Sequence, residues 1–286
     1  MTLLSAPAPA KVNLTLHVTG QRADGYHLLD SLVVFADVSD TITVGPAPDL
    51  RLTVEGPFKQ GVPLDETNIV MQCARLLRDR RGVGKGAALT LNKFLPHAAG
   101  LGGGSSDAAT TLKLLARFWE VEPLPPHDPD VVALGADVPV CLQAPSPMRM
   151  RGIGDELSPV PALPNAAVVL VNPREPTPTG TIYGGLQKTD NAPMDDIPER
   201  ADLATFADWL KVQRNDLTAP AVAMAPGIEA ALSRLRTLPA VKVAGMSGSG
   251  ATCFALVKDM ANARQVARVL QVAEQGWWVA PAALLR

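Results

Sequence analysis

Residues 95–109 read Leu-Pro-His-Ala-Ala-Gly-Leu-Gly-Gly-Gly-Ser-Ser-Asp-Ala-Ala, and their composition points to phosphate chemistry. Gly100, Gly102, Gly103 and Gly104 lead straight into Ser105, Ser106 and Asp107, with Pro96, His97, Ala98, Ala99 and Leu101 completing the segment. Glycine bends the backbone freely and lets a bulky ligand approach its N–H groups. The Ser/Asp cluster is predicted to cap the helix that follows, whose start offers unpaired N–H groups and the positive end of a dipole. Together these form an anion cradle, most naturally for phosphate. The loop is not a P-loop, because no Gly-Lys-Ser/Thr follows, and Ser105 or Asp107 stands where a dinucleotide fingerprint needs its third glycine. A plain glycine-rich connector is the alternative; the order strand, glycine turn, serines, helix favours the phosphate site.

A second glycine segment, residues 245–250, reads Gly-Met-Ser-Gly-Ser-Gly between two apolar runs. It is either a hairpin turn or a second wall of the same pocket. Asp137, in Gly-Ala-Asp-Val-Pro, is either a turn or cap residue or a carboxylate able to accept a hydroxyl proton. Lys11 is the lone charge at the head of an apolar alternating stretch. It is either a snorkelling strand-end lysine or a cation that stabilises developing negative charge. Tyr26 and His27 follow a turn at Asp24-Gly25, and Tyr183 is the chain's other tyrosine. Flat rings with polar edges suit a stacked heterocyclic base.

The elements that position these residues follow from periodicity. Alternation predicts strands over residues 11–19, 28–38, 40–44, 50–55 and 87–94. Helical spacing predicts helices over 65–81, capped by Asp65 or Thr67 and closed by Gly82, and over 105–119. A proline-rich connection leads to Asp137. Beyond it come strands at 166–171, 241–244, 251–257 and 277–280, and helices at 202–211, 227–235 and 260–273. Mixed strands and helices without strict alternation give an α/β (α+β) fold of two layers. The texture changes near 150–164, which predicts domains over 1–155 and 156–286.

Composition narrows the classes. The chain has 286 residues, 26 basic and 28 acidic, for a net charge of −2. That excludes a general nucleic-acid or anionic-membrane footprint. No apolar run reaches the length of a membrane span, and residues 1–10 lack the basic start and apolar stretch of a secretory leader. Cys73, Cys141 and Cys253 form no CxxC pair, so a reducing, cytoplasmic setting is expected. The four histidines show no metal-binding spacing. The 26 prolines, well above the usual share, cluster in loops and read as stiff connections.

Residues 96–109 resemble the phosphate-binding motif of the superfamily of galactokinase, homoserine kinase, mevalonate kinase and phosphomevalonate kinase. Residues 8–14 (Ala-Pro-Ala-Lys-Val-Asn-Leu), 24–27 (Asp-Gly-Tyr-His), 134–139, 215–217 (Asn-Asp-Leu) and 245–254 are similar to one branch of it, across nearly the whole chain. The resemblance implies a ribosomal-protein-S5-like amino-terminal domain and a ferredoxin-like carboxy-terminal domain, with ATP and substrate meeting in the cleft between them. It implies ATP-dependent phosphorylation of the 2-hydroxyl of 4-diphosphocytidyl-2-C-methyl-D-erythritol, in non-mevalonate isoprenoid precursor synthesis, by a monomer or homodimer. Asp137 is then the general base and Lys11 its cationic partner. Residues 96–106 wrap the ATP phosphates, Asn68 and Lys93 lie near the nucleotide, Asn13 and His27 read the cytosine, and Tyr26 and Tyr183 sandwich it. Mg²⁺ is held by phosphates, waters and a hydroxyl such as Ser105 or Ser106. The branch has a longer helix before its Gly-Ala-Asp than residues 119–134 allow, and residues 189–200 read as a mobile insertion. Another kinase of the superfamily, of the mevalonate or homoserine class, or a non-catalytic binding module on the same fold, are the alternatives.

Overall fold

The computed structural model describes residues 3–286. Met1 and Thr2, on which the leader reading partly rests, lie outside the described residues. The chain runs β1 (Leu4–Asn13), β2 (His17–Gln21), β3 (His27–Gly45), β4 (Leu50–Glu55), α1 (Ile69–Arg81), β5 (Ala87–Asn92), α2 (Gly103–Trp119), α3 (Pro129–Leu134), α4 (Val138–Cys141), β6 (Met148–Gly152) and β7 (Glu156–Pro159). It continues with β8 (Ala167–Asn172), α5 (Thr179–Gly184), α6 (Leu203–Val212), α7 (Thr218–Met224), α8 (Gly227–Arg236), β9 (Val241–Met246), β10 (Cys253–Val257), α9 (Met260–Ala273) and β11 (Trp278–Ala283). Two compact units result: residues 3–10, 39–97 and 102–144 in the first, residues 11–38, 98–101 and 145–286 in the second.

In the first unit β4, α1 and β5 form a βαβ unit. β4 and β5 are parallel, with Leu52 opposite Leu89 and Val54 opposite Leu91. β5 also pairs antiparallel with the last residues of β3, Ile42 opposite Leu91. Ala87, Leu89 and Leu91 alternate inward on β5, as the period of two requires. Helix α1 buries Val70, Met71, Cys73, Ala74 and Leu77 against this layer and packs on α2. Its N-cap is Asn68, not Asp65 or Thr67. The Asp65 carboxylate instead accepts from the backbone and hydroxyl of Thr67, a turn bond that competes with capping. α2 is buried along most of its length, including the polar Ser106, Asp107, Thr110 and Thr111.

The connection after α2 holds a short helix that the sequence pattern does not show. Asp128 caps α3 by accepting from Asp130 N, and Pro129 occupies its first position. The Arg80 guanidinium bonds both Asp128 and Asp130, tying α3 to α1.

The second unit contains a four-stranded antiparallel sheet in the order β11-β8-β10-β9. In chain order this is β-α-β-β-α-β with the first and third strands central, the ferredoxin-like arrangement. Every residue of β8 is buried. Val169, Val171, Cys253 and Ala255 pack in one core with Ile228, Leu232 and Leu235 of α8 and Val266 and Leu270 of α9. In the same unit β2 pairs with the start of β3, β3 with β6, and β6 with β7, all antiparallel.

Within residues 189–200, expected to be mobile, Asn191, Ala192 and Met194 are fastened. Met194 is buried; its amide N–H donates to Asp30 Oδ2 (3.1 Å), and its carbonyl accepts from Arg149 (2.9 Å). Arg149 itself forks onto both Asp30 oxygens at 2.8 and 2.7 Å, a bidentate, charge-assisted pair. Asn191 donates to Val18 O, and Arg214 donates to Ala192 O.

Candidate active site

The glycine loop contributes residues 98–101 to the second unit and residues 102–106 to the first. Helix α2 begins at Gly103 with Gly102 at the N-cap, φ +59°, and no side chain caps it. The expected Ser/Asp cap is therefore not present. Ser105, Ser106 and Asp107 lie within the first turns, and Ser106 N donates to Gly102 O. A left-handed glycine cap leaves the first N–H groups of α2 without a competing side-chain acceptor, which suits a bound anion. Pro96 and His97 precede the crossing, at the end of the segment that leaves β5.

In the second unit the two glycine segments meet. Ser247 Oγ donates to Gly100 O (2.7 Å) and accepts from Asn13 N (3.0 Å), while Thr252 N donates to Ala99 O (3.2 Å). Gly100 has φ +69°, and a Cβ there would lie 2.2 Å from Ser247 O, so only glycine fits. Asn215 Nδ2 donates to Met246 O and Gly248 O (2.8 and 2.9 Å) and holds the second segment from below. Thus residues 245–250 are both a β9–β10 hairpin turn and a wall against the loop. Ser247 and Asn215 carry this junction. The Asn-Asp-Leu motif flagged Asn215 without giving it a role.

Lys11 is buried in β1, with its backbone N–H donating to Leu101 O at 2.9 Å. Its ammonium donates to Asn13 Oδ1 at 2.7 Å. Asn13 is fully buried, and its Nδ2 donates to Ser31 Oγ at 2.8 Å, which fixes the amide orientation. The structure therefore joins Lys11 and Asn13 beside the loop.

Tyr26 stands exposed after the β2–β3 turn. His27 and Tyr183 come together, ring centroids 4.9 Å apart and planes inclined at 31°. Tyr183 sits on α5, a helix opened by Pro178. Partial burial lowers the His27 pKa, which keeps the ring neutral at neutral pH.

In the first unit Asp137 occupies the N-cap position of α4 without making a capping bond from its side chain. The preceding turn lies near the phosphate helix: a Cβ on Gly135 would come 3.8 Å from Ser105 Oγ. Asn68 Oδ1 accepts from Val70 N (2.8 Å) and its Nδ2 donates to Pro63 O (2.7 Å), so this amide shapes the start of α1. The Lys93 ammonium is held by Asp40 and Asp107, and all three side chains are almost fully buried.

The described residues include no group of three or more His, Cys, Asp or Glu side chains placed to hold a metal ion. The donors present, Asp137 and the Ser105 hydroxyl, fit Mg²⁺ carried in on nucleotide phosphates, because Mg²⁺ keeps several waters and needs few protein ligands. No helix among the described residues is long and apolar enough to cross a membrane.

A βαβ layer with a glycine-led helix in one unit and a ferredoxin-like sheet in the other are the fold of a small-molecule kinase of the GHMP type. The profiles of the GHMP kinases N terminal domain and the GHMP kinases C terminal domain match residues 68–146 and 195–273. The 4-diphosphocytidyl-2-C-methyl-D-erythritol kinase of Ruegeria pomeroyi is 51% identical over 97% of this chain and 98% of its own. That of Paramagnetospirillum magneticum is 50% identical over 100% of both. A crystal structure of 4-(cytidine 5'-diphospho)-2C-methyl-D-erythritol kinase superposes with a TM-score of 0.79, at 32% identity, covering 99% of this chain and 100% of the other. Homoserine kinase from Cytophaga hutchinsonii shares the fold, with a TM-score of 0.69 at 14% identity. The chain belongs to the 4-diphosphocytidyl-2-C-methyl-D-erythritol kinase family.

Proposed function

We propose that the protein transfers the γ-phosphoryl group of ATP to the 2-hydroxyl of 4-diphosphocytidyl-2-C-methyl-D-erythritol, in the cytoplasm. The observation that carries this acceptor, rather than mevalonate or homoserine, is the His27–Tyr183 ring pair beside exposed Tyr26. A cytosine needs π-faces and a polar edge, and a neutral imidazole beside a phenol supplies both. Neither control acceptor carries a base for these rings to hold.

Asp137 takes the acceptor hydroxyl proton, and Lys11 stabilises the charge that develops as the oxygen attacks. The acceptor is a tertiary alcohol with no acidic proton, so both are required. Residues 96–106 wrap the phosphates through backbone N–H groups and the α2 start. The Ser105 hydroxyl would help to hold Mg²⁺ brought in on the nucleotide, and the ion would supply neutralisation of phosphate charge. Asn68 frames the nucleotide pocket through α1, and Asn13 acts on the acceptor through Lys11.

The test is product analysis. Phosphorus NMR of a reaction with Mg·ATP and the cytidylyl acceptor should show one new phosphomonoester on the tertiary carbon. A phosphomonoester on another hydroxyl would refute the assigned acceptor geometry.

A further inference from the structure

We propose that Asp40, Lys93 and Asp107 form a clasp that sets the spacing between the two ends of the phosphate loop, and that Lys93 acts on nucleotide through this clasp and not by direct contact. The proposal rests on reading residues 96–106 as the phosphate loop. Asp40 Oδ1 accepts from Phe94 N (2.6 Å) and Leu95 N (2.8 Å), the last backbone groups before the loop. The Lys93 ammonium bonds Asp40 on that side and Asp107 Oδ2 (2.8 Å) on the other, just beyond the loop. One ammonium thus joins the entry and the exit. The start of α2 is drawn tightly against it: a Cβ on Gly103 would lie 3.2 Å from Lys93 Nζ and 3.7 Å from Asp40 Oδ2. Glycine at the first helical position is what permits that approach.

Three buried ions are an expensive way to gain stability, since well-packed apolar side chains would stabilise as much or more. What the ions supply is direction. The side chains of Lys93, Asp40 and Asp107 are 6%, 0% and 2% exposed, so the ammonium has two fixed partners and little access to solvent.

Two carboxylates share the one ammonium, and Asp107 Oδ1 is buried without a hydrogen-bond partner, so Lys93 is the group that holds Asp107 in place.

The experiment is ATP binding by calorimetry without acceptor, on the whole protein. Because no acceptor is present, a wrong acceptor assignment leaves the result intact. Lys93→Met should weaken ATP on the order of tenfold, the coupling typical of residues in one ion network. In an Asp107→Asn background the same change should cost less, because one buried carboxylate fewer is stranded. Two results would overturn the proposal: tighter ATP binding in Asp40→Asn or Asp107→Asn, as a released ammonium would give, or an equal Lys93→Met penalty in both backgrounds. Thermal unfolding is recorded for each variant. If Lys93→Met does not fold, Asp40→Asn decides alone: ATP binding weakened on the order of tenfold supports the clasp, and parental affinity refutes it.

Discussion

The Lys11 ammonium donates to the side-chain oxygen of Asn13 at 2.7 Å, and both residues are buried. Ser31 holds the other end of the Asn13 amide. The lysine proposed to stabilise the transferring charge is thus aimed by a neighbour two positions away on the same strand. Asn13→Leu keeps the branched shape and removes the acceptor. It should lower kcat by about 10²-fold, the cost of a misplacement near 1 Å, with little change in the KM for the acceptor. Steady-state kinetics on the variant check this. A large KM effect with normal kcat would instead make Asn13 a cytosine contact.

Gly100 cannot be replaced without moving the second glycine segment, because of its positive φ and the 2.2 Å approach to Ser247 O. Gly100→Ala should abolish measurable ATP binding while Gly84→Ala, whose Cβ would meet nothing, should not. Calorimetry with ATP distinguishes the two.

His17 ties residues 190–197 to pH. Its Nε2 accepts from Arg214 N (3.1 Å), so the proton sits on Nδ1, which donates to Ala192 O (3.3 Å). Burial is the main cause of its lowered pKa. A histidine whose native pKa is depressed contributes stability that is fully present above its unfolded value, about 6.5, and lost as pH falls through the native value. Protonation would also turn Nε2 into a donor facing another donor. Hydrogen exchange of residues 190–197 should therefore accelerate below pH 6 more than that of β8. Equal acceleration in both would detach His17 from this segment.

Much of the fold was legible because apolar periodicity dominates where elements are long. The expected α1, α2, α9 and the strands of the ferredoxin-like sheet all appear, within a few residues at their ends. The short helices α3, α4, α5 and α7 were not, since prolines at their starts read as loop while serving as first-turn residues. The Ser105–Ser106–Asp107 cap failed for another reason. Side-chain preference marks serine and aspartate as caps, but a left-handed Gly102 starts the helix earlier and carries them inside. The order of residues 189–200 was invisible because its anchors, Asp30, Arg149 and Arg214, come from distant parts of the chain. Lys11, Asp137, Tyr26, His27 and Tyr183 could be named as candidates from sequence, though not the His27–Tyr183 contact, whereas Ser31, Ser247 and Asp40 make bonds that spacing does not encode.

Asp137 faces the simplest chemical demand, a carboxylate for one proton. Asp137→Asn is isosteric and should lower kcat by roughly 10²–10⁴-fold, the usual share of a general base, with ATP affinity retained. A near-normal turnover would remove Asp137 from the reaction.

The most direct measurement is ADP release from Mg·ATP with 4-diphosphocytidyl-2-C-methyl-D-erythritol, set against mevalonate and homoserine. Turnover with the cytidylyl acceptor alone, lost on replacing His27 and Tyr183 by alanine through a raised acceptor KM, is the predicted result. Turnover with either control at a comparable rate, or an acceptor KM indifferent to both rings, would contradict the account.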